Sequence, residues 1–439
     1  MRDGDPSSLP TMDPPGSRTH AGEIERMFVC YVPGFDLRRI EPGTTPFVSE
    51  RISRGPTVRI RTLPNTELLP TMVTGVYPDE HGVWQVRLRK GAGDATATSR
   101  LDHLPDLVST SWQCLRQYLD PGFDLATVPA RRRRRFELHR FKYTRRQNDD
   151  QPLRAFGDVP SIFGLLGEQA RYLFTKRFDR LPRLAESLPS ESLPSESRRS
   201  GERRLEFLEM YALDLFQHWH LDRPEAMREA YAATDRFVRR LHERCRERGV
   251  ALLLLVDHGQ ERVTGTIPLL ETLAASGVPS REYSYFVELA LARFWFHTDR
   301  ARRRLLEVLG GIESTRLLSW REMHEFDVRF PDASHGEVYL AADAGRIFFP
   351  HDFHQPLANL FLGLTDRNQR PRVRVPVHRG NHGYLPHFPS ERGWAVLVEP
   401  EGFRARAQEI ALIDFAPTVL SLLGHRPPER MRGSVAFLR

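Results

Sequence analysis

Carboxylates and imidazoles recur in three short segments of this sequence, at spacings that suit metal binding. Asp214 and His218 are four residues apart, so both side chains can face one point on a helical turn or a curled loop. Asp257 and His258 directly follow an apolar run, and His382 lies in a polar loop beside glycines. A hard carboxylate combined with imidazole suits zinc or manganese. The three segments predict a metal site if the fold brings them together.

Short apolar runs provide the elements that would position these segments. Residues 27–32, 205–213 and 250–256 have the length and composition of buried strands. Residues 225–248 show an amphipathic helical pattern that Gly249 ends. Strand, helix and strand in this order predict an α/β fold with a mainly parallel sheet. Ligands gather at the carboxyl ends of such strands, where two of the three segments begin.

Further elements are predicted on both sides of this unit. Residues 107–119 and 162–181 favour helices, and residues 283–296 have strand character. Residues 410–423 favour a helix that Gly424 ends.

The composition is typical of a soluble globular protein, with 40% apolar, 28% charged and 10% aromatic residues. No apolar run approaches the ~20 residues that a membrane span requires. Residues 1–20 contain acids and prolines where a signal peptide needs an apolar stretch. Cys30, Cys114 and Cys245 are widely spaced, which suits a reducing compartment. We therefore expect a cytoplasmic protein without a membrane partner.

The formal charge of +7 is locally concentrated in the run Arg131–Arg135. No aromatic stacking platform is interleaved with this run, which favours a solvated surface loop over a nucleic-acid site. A GxxxxGK[ST] motif is absent from the sequence, which argues against a P-loop nucleotide hydrolase.

The domain organisation predicted from composition is simple. Residues 1–25 are rich in Pro, Gly, Ser and Asp and predict a disordered tail, followed by a single domain over 26–439. Within it, the repetitive segment 184–200 predicts an exposed polar loop, and 260–380 predicts a cap-like insertion over the site. The aromatic residues of the insertion are expected to form a core, namely Tyr283, Tyr285, Phe286, Phe294, Trp295 and Phe296.

Five motifs carry a family resemblance in their order along the chain. They are Thr74–Gly82 (TGVYPDEHG), Asp214-xxx-His218, Val256–Gly259 (VDHG), Asn381–Tyr384 (NHGY) and Leu412–Gly424, which ends in LLG. With these motifs the chain resembles the alkaline phosphatase superfamily, and within it the type I phosphodiesterase/nucleotide pyrophosphatase family. The resemblance implies an α/β fold with a central, mainly parallel sheet between helices. It also implies two metal ions, usually zinc.

The same resemblance assigns ligands residue by residue. Asp214, His218 and His382 would hold one ion, and Asp257 and His258 would hold the other. The family completes the second site with an Asp at the end of the first strand and with a Thr or Ser nucleophile. That nucleophile lies nine residues before the Thr of the TG pair. We therefore expect one or two zinc ions, with manganese as an alternative.

The sequence departs from the family pattern at both of these N-terminal positions. Pro33 stands where the family has Asp, and Asn65 stands where it has the nucleophile. Asp36 lies close enough in sequence to replace the carboxylate, and Thr62 or Thr66 could replace the hydroxyl. With Thr66 as nucleophile a covalent route survives. With Asn65 in that position water attacks directly, and the amide binds an oxyanion.

Two functions follow from this pattern. The favoured prediction is a metal-dependent hydrolase of phosphodiester or pyrophosphate substrates that resemble nucleotides, acting on a small phosphorylated molecule. The alternative is a catalytically degenerate relative that binds a phosphorylated ligand or a protein partner without turnover. His81 is expected to hold a turn, and a structural role is expected for His220, His351 and His354.

Overall fold

The structure is a computed structural model that describes residues 24–64, 67–85, 87–89, 103–120, 127–138, 151–189, 204–366, 369–400 and 402–439. Asn65, Thr66, nearly all of the predicted tail (1–23) and most of the predicted polar loop (190–200) lie outside the described residues. The described start of that loop still includes the end of the helix Leu181–Ser187.

A seven-stranded sheet lies at the centre of the described molecule. Its strands in chain order are β1 (Arg26–Tyr31), β2 (Thr57–Arg61), β3 (Ala170–Thr175), β4 (Arg204–Met210), β5 (Ala251–Val256), β6 (Arg392–Glu399) and β7 (Glu409–Ala411). Across the sheet they are ordered β7, β2, β6, β5, β1, β4, β3. Only β6 runs antiparallel to its neighbours among these seven strands. The predicted α/β fold with a mainly parallel sheet is confirmed.

Helices cover both faces of this sheet. All six residues of β5 are buried, as expected for a central strand with apolar layers on either side. One layer contains the helices Leu69–Thr74, Ile162–Leu166 and Phe415–Leu422. The opposite layer contains Pro46–Arg54, Leu181–Ser187, Ala212–His220 and Pro224–Glu247.

The spacing of apolar residues in the sequence predicts the helix Pro224–Glu247 accurately. Its buried positions recur at helical spacing, and its chain reverses at Gly249, where φ is +61°. The predicted helix over 225–248 is confirmed to within one residue at each end.

The predicted helix over 162–181 is wrong. A helix covers only Ile162–Leu166, and the chain then forms β3 at the edge of the central sheet. Gly167 adopts φ +54° and ends the helix, because a residue with a Cβ avoids that conformation. The apolar residues that follow pair with β4, so tertiary pairing overrides an ambiguous local pattern.

A second sheet is built from the segment between β5 and β6. Its four antiparallel strands are Tyr283–Val287, Leu291–Phe296, Val338–Ala342 and Thr315–Ser319, in that spatial order. The helices Leu269–Ala275 and Asp299–Gly310 pack against it. Tyr283, Phe286, Phe294 and Trp295 are buried, which confirms a core role for these four aromatic residues.

Smaller elements complete the described fold. The remaining helices are Pro78–His81, Asp106–Leu119, Ala130–Arg133, Pro356–Thr365 and Pro371–Arg374, with short 3-10 turns at Leu37–Arg39, Gln151–Leu153, Gly167–Gln169, Phe178–Arg180, Glu322–Phe326, Pro389–Glu391 and Leu412–Asp414. The short strand pairs are Arg87–Arg89 with Phe136–Leu138, Ala155–Phe156 with Val159–Pro160, Glu261–Arg262 with Gly380–Asn381, Gly265–Ile267 with Arg346–Phe348, and Arg404–Ala405 with Phe437–Leu438. None of the helices described has the combined length and apolar character that a bilayer span demands.

Only part of the arginine run is the solvated segment that its composition predicts: Arg131 and Arg135 are exposed, but Arg132 and Arg133 are buried. Arg132 is buried, and its Nε donates to Asp352 Oδ1 at 2.8 Å. Its guanidinium also lies 3.8 Å from the ring centroid of Tyr285. Arg133 is buried as well and donates to Ser109 Oγ at 2.6 Å. These partners come from distant parts of the chain, so composition alone could not reveal them.

We expect Arg132→Ala to destabilise the protein by about 3 kcal/mol, because the buried Asp352 carboxylate loses its ionic partner. The neighbouring Arg131 is exposed, and Arg131→Ala should change the free energy of unfolding by less than about 0.5 kcal/mol. Urea denaturation of both variants measures the difference. Equal stabilities would show that the buried pair contributes nothing.

Candidate functional site

The predicted ligands lie at the carboxyl ends of the central strands. Asp214 and His218 are on the helix Ala212–His220, which begins two residues after β4. Asp257 and His258 follow β5 directly. His382 follows the short strand Gly380–Asn381, whose pairing with Glu261–Arg262 places it beside the end of β5. The topology therefore brings all three segments to one edge of the sheet.

Asp214, His218 and His382 form one compact group, with one candidate ligand atom from each lying within 4.8 Å of the others. Asp214 Oδ2 lies 3.5 Å from His218 Nε2, and Asp214 Oδ1 lies 3.6 Å from His382 Nε2. Ligands of tetrahedral zinc, with bonds of about 2.0–2.1 Å, lie about 3.3–3.4 Å apart. Each histidine nitrogen is therefore at a distance from an Asp214 oxygen that allows the two to share an ion.

Hydrogen bonds orient two members of this group for metal binding. His218 Nδ1 lies 2.9 Å from the Gly380 carbonyl oxygen, an acceptor, so Nδ1 donates to that carbonyl and the ring turns Nε2 towards Asp214. Gln260 Nε2 donates to Asp214 Oδ1 at 2.6 Å. Asp214 Oδ2 is buried and receives no hydrogen bond from the described part of the chain. An oxygen in that position fits a cation.

Charge explains why Asp214 stays ionised in a fully buried position. Burial raises the pKa of its carboxyl, but the nearby imidazoles of His382 and His218 outweigh burial and hold that pKa well below its usual range. A carboxylate that remains charged without solvent is the ligand type that a divalent cation requires.

Asp257 and His258 form a second, smaller group beside the first. The His258 ring stacks on the His382 ring, with centroids 3.8 Å apart and planes 11° apart. His258 Nδ1 lies 2.8 Å from the Gly259 carbonyl oxygen, which leaves its Nε2 facing Asp257 Oδ2 at 3.3 Å. Tyr31, at the end of β1, donates to the same Asp257 oxygen at 2.5 Å. Burial raises the pKa of the Asp257 carboxyl.

The structure shows the contacts of Pro33, Asp36 and Thr62, which lie at or near the positions that depart from the family pattern. Pro33 lines the cleft beside Asp257 and His258 and offers no ligand atom. Asp36 does not replace the missing carboxylate, because both its oxygens accept hydrogen bonds from Arg38. The Thr62 hydroxyl donates to the backbone carbonyl of Glu391. Asn65 and Thr66, the predicted catalytic residues, lie outside the described residues.

A short turn at Ser390 and Glu391 connects the segments of the site. The backbone carbonyl of Ser390 accepts from Gly259 N at 2.8 Å, and Glu391 Oε2 accepts from Gly383 N at 2.9 Å. With Thr62, the turn therefore contacts the segments after β2 and β5 and the loop of His382. Burial raises the pKa of the Glu391 carboxyl to about 7.

Sequence reasoning missed four of these residues. Gln260 directly follows the Asp257-His-Gly motif, so its position was a signal that could have found it. Tyr31 ends the first strand, two residues before Pro33. Ser390 and Glu391 belong to no motif, and only the return of the chain as β6 brings them to the site.

The histidines expected to be structural do not join the ligand group. His81 accepts from Val83 N at 3.1 Å through Nδ1, and its Nε2 lies 2.9 Å from the Thr71 hydroxyl, so it holds the turn as predicted. His220 stacks on Phe216, with ring centroids 4.2 Å apart. His351 is not in the ligand group, but its ring lies 6.0 Å from that of His378, which in turn lies 4.9 Å from the His218 ring. Burial lowers the pKa values of His351 and His354.

A cleft opens over the two groups of ligands. The second sheet contributes the turn 288–291 to its wall, opposite the strand ends. Other side chains in the lining are Tyr31, Glu67, Gln85, Glu209, Tyr211, Phe353, Arg372 and His378. The lining thus combines carboxylates, three aromatic rings and one arginine.

One known protein family matches most of the chain by sequence. A sequence model of the family described as type I phosphodiesterase/nucleotide pyrophosphatase matches residues 34–339, more than two thirds of the chain. The match includes Asp214, His218, Asp257 and His258, whereas His382 lies beyond it. No curated protein sequence matches the chain.

Solved structures share the fold at low sequence identity. Murine and human ectonucleotide pyrophosphatase/phosphodiesterase 5 both superpose with a TM-score of 0.60, at 14% and 13% identity, over 93% of this chain and 97% of theirs. An inactive variant of the murine protein in complex with AMP superposes with a TM-score of 0.59, at 12% identity, over 94% of this chain and 97% of its own. At these identities the likeness shows the fold.

We expect Glu391→Ala to weaken zinc binding by about 10–100-fold, because the loop that carries His382 loses its anchor at Gly383. Ser390→Ala is the matched control, since it removes only the donation of the Ser390 hydroxyl to Glu391 Oε1 at 3.2 Å and keeps both the carboxylate and the backbone carbonyls. It should bind zinc nearly as the wild type does. Zinc titration against a competing chelator measures both variants. Equal affinities in the two variants would contradict an anchoring role for Glu391.

Proposed function

The chain belongs to the type I phosphodiesterase/nucleotide pyrophosphatase family, and on that premise we propose that it is a metal-dependent hydrolase of phosphodiesters or pyrophosphates. The observation that carries this proposal is the convergence of Asp214, His218 and His382 within 4.8 Å. Two proposed ligands from one helix and a third from a distant loop, with His218 Nδ1 bound to the Gly380 carbonyl on the outer side, form a site suited to hydrolysis.

The first ion would be zinc, with manganese as the alternative, held by Asp214, His218 and His382. When bound, such an ion lowers the pKa of water and offsets negative charge on phosphoryl oxygens. Gln260 fixes the Asp214 carboxylate, and the Gly380 carbonyl fixes the tautomer of His218. The protein's contribution is therefore a rigid and largely buried set of ligands.

A second ion would be held by Asp257 and His258 and would bind more weakly than the first. Pro33 supplies no ligand in place of the family's Asp, and Asp36 is bound by Arg38. The Tyr31 hydroxyl donates a hydrogen bond to Asp257 and helps to orient that carboxylate, but it does not add a ligand for the ion. Full occupancy of this position would require residues 65 and 66 or the substrate itself.

The substrate we propose is a small phosphorylated molecule of nucleotide-like character. Arg372 lines the cleft and supplies positive charge, and Tyr211 and Phe353 supply ring faces on which a base could stack. The murine relative whose inactive variant was solved with AMP supports this substrate class. We further propose that residues 260–380 act as a cap, because the turn 288–291 lines the cleft opposite the ligands.

One observation supports the alternative of binding without turnover. Pro33 lies in the cleft where the family has a carboxylate, so the second metal position is incomplete within the described residues. A cytoplasmic location also stays a proposal, supported by three buried cysteines that carry free thiols.

We expect His218→Ala to lose bound zinc and nearly all hydrolysis of an aryl phosphodiester, because it removes one of three ligands. His220→Ala, on the same helix, should retain both, since its ring stacks on Phe216 outside the ligand group. Metal analysis and rate measurements, with and without a strong chelator, test the pair. Phosphodiester hydrolysis that persists in the metal-free protein would rule out the proposed mechanism.

The nucleophile is tested by Asn65→Ala and Thr66→Ala. If Asn65 binds an oxyanion, its removal should slow turnover by about 10²-fold and no phospho-enzyme should form. If Thr66 is the nucleophile, Thr66→Ala should abolish nearly all activity. Acid quenching of the wild type should then trap a threonine-linked phosphodiester that keeps one substituent of the substrate, while the other substituent leaves as the alcohol or phosphate.

Thr62→Ala is the matched control, because the Thr62 hydroxyl donates to the Glu391 carbonyl and is not expected to react. Zinc binding without hydrolysis of any phosphodiester, pyrophosphate or phosphomonoester by the wild type would instead favour the binding protein.

A further inference from the structure

A backbone contact holds His378 beside the helix Ala212–His220. Arg379 N donates to the His218 carbonyl oxygen at 2.7 Å, which fixes the chain next to His378. The His378 ring lies 4.9 Å from the His218 ring and 4.4 Å from the Trp219 ring, measured between ring centroids. His378 is therefore an immediate neighbour of the proposed ion site without being one of its three proposed ligands.

One nitrogen of this imidazole has no partner within the described part of the chain. His378 Nδ1 is buried and makes no hydrogen bond there, and the residue lines the cleft. Nearly all buried polar groups in proteins are paired, so an exception indicates a partner that the chain does not supply. Because a neutral imidazole has one N–H donor and one acceptor nitrogen, a ligand in the cleft can pair with it.

Arg372 lines the same cleft, and its position is fixed by contacts of its own. Its Cζ lies 5.0 Å from the centroid of the Trp219 ring, and its Nη1 donates to Asn359 Oδ1 at 3.0 Å. Trp219 therefore contacts both Arg372 and His378, which places these two side chains close together in the lining of the cleft.

The charges in the lining favour one position for an anionic group beyond the ion. Arg372 is the one arginine among the described lining residues, and no described lysine lines the cleft. Four carboxylates also belong to the lining, namely those of Glu67, Glu209, Asp257 and Glu288. Carboxylates repel a second negative group of a substrate, whereas the guanidinium attracts it. Such a group would therefore lie against Arg372 and the neighbouring His378.

We propose that Arg372 and His378 form a second phosphate subsite, which holds the phosphate next to the one that is hydrolysed and makes pyrophosphates the preferred substrates over diesters of a single phosphate. This subsite deepens the proposed hydrolase function, on which it rests, by naming the substrate class that the cleft selects. A guanidinium contacts two phosphoryl oxygens at once through its planar N–H groups. It has five such donors, so the bond to Asn359 positions the group and is compatible with a phosphate contact.

The second phosphate is the group that leaves in this reaction. Hydrolysis breaks the bond between the attacked phosphorus and the bridging oxygen, and water supplies the new oxygen on that phosphorus. The second phosphate leaves as a monoester that keeps the bridging oxygen, and the two protons of water end on the two monoester products. Negative charge develops on the bridging oxygen, and Arg372 would offset it.

Nucleotide binding to the zinc-loaded full chain tests the subsite without turnover. AMP carries one phosphate, whereas α,β-methylene-ADP carries two that are joined by a bridge resistant to hydrolysis. We expect the wild type to bind α,β-methylene-ADP at least about tenfold more tightly than AMP. Arg372→Met should weaken binding of α,β-methylene-ADP by about 10–100-fold and should change the affinities for AMP and zinc by less than about twofold. Calorimetry measures the nucleotides, and competition with a chelator measures zinc.

Matched variants separate the phosphate contact from packing and net charge. Arg372→Lys keeps the charge without the planar fork and should lose less affinity than Arg372→Met. Arg374→Met removes an exposed arginine from the same short helix and should bind both nucleotides like the wild type. His378→Phe keeps a ring against Trp219 and should weaken α,β-methylene-ADP by about three- to tenfold, whereas the same change at the exposed His387 should not. Melting temperatures establish that each variant is folded.

Hydrolysis rates distinguish a failure of the subsite from a failure of the hydrolase function. In Arg372→Met, kcat/KM for diadenosine diphosphate, which contains a pyrophosphate, should fall by about 10–100-fold. For the 4-nitrophenyl ester of AMP, which contains a single phosphate, kcat/KM should change by less than about threefold. A wild type that binds α,β-methylene-ADP through Arg372 but hydrolyses neither substrate would retain the subsite and lose the hydrolase function.

Three outcomes would overturn the second phosphate subsite. One is a folded, zinc-loaded wild type that binds AMP and α,β-methylene-ADP equally well or binds neither. Another is an equal loss of affinity for both nucleotides in Arg372→Met, because a purely structural contact with Trp219 and Asn359 would act in that way. The third is an equally large loss in Arg374→Met, which would show that net charge and not a specific contact attracts the second phosphate.

Discussion

The proposed site depends on a carboxylate that remains charged without contact with solvent. Asp214 is fully buried, and its charge is stabilised by the imidazoles of His218 and His382 and by the amide of Gln260. An isolated carboxylate in that position would be strongly destabilising. The elements that carry these partners must therefore converge there, and a bound cation would complete the same electrostatic balance.

The antiparallel strand β6 makes this convergence possible. It returns beside β5, and the turn before it contacts Thr62, Gly259 and Gly383. At Gly393, the second residue of β6, a side chain would run into the backbone carbonyls of Val256 and Asp257, so this close approach requires glycine. The geometry of the two ligand groups is thus coupled to the packing of the central sheet.

The two proposed ligand groups differ in how many ligands they contain, and this difference affects the proposed mechanism. The proposed Asp214 group contains all three residues that the family resemblance assigns to it, whereas the proposed Asp257 group contains two, and Tyr31 donates to Asp257. The chemistry would therefore rest mainly on the first ion and on the residues at 65 and 66.

The sequence determined the family, the mainly parallel sheet and the residues of the Asp214, His218 and His382 cluster, because these depend on local patterns that follow strand ends. Tertiary structure alone decided the roles of residues without such patterns. Glu391 joins the site because β6 returns beside β5, and Arg132 is buried because Asp352 meets it from 220 positions away. Residues 170–175 became a strand through pairing with β4. Contacts between distant segments carry no local periodicity, which is why only the folded chain shows them.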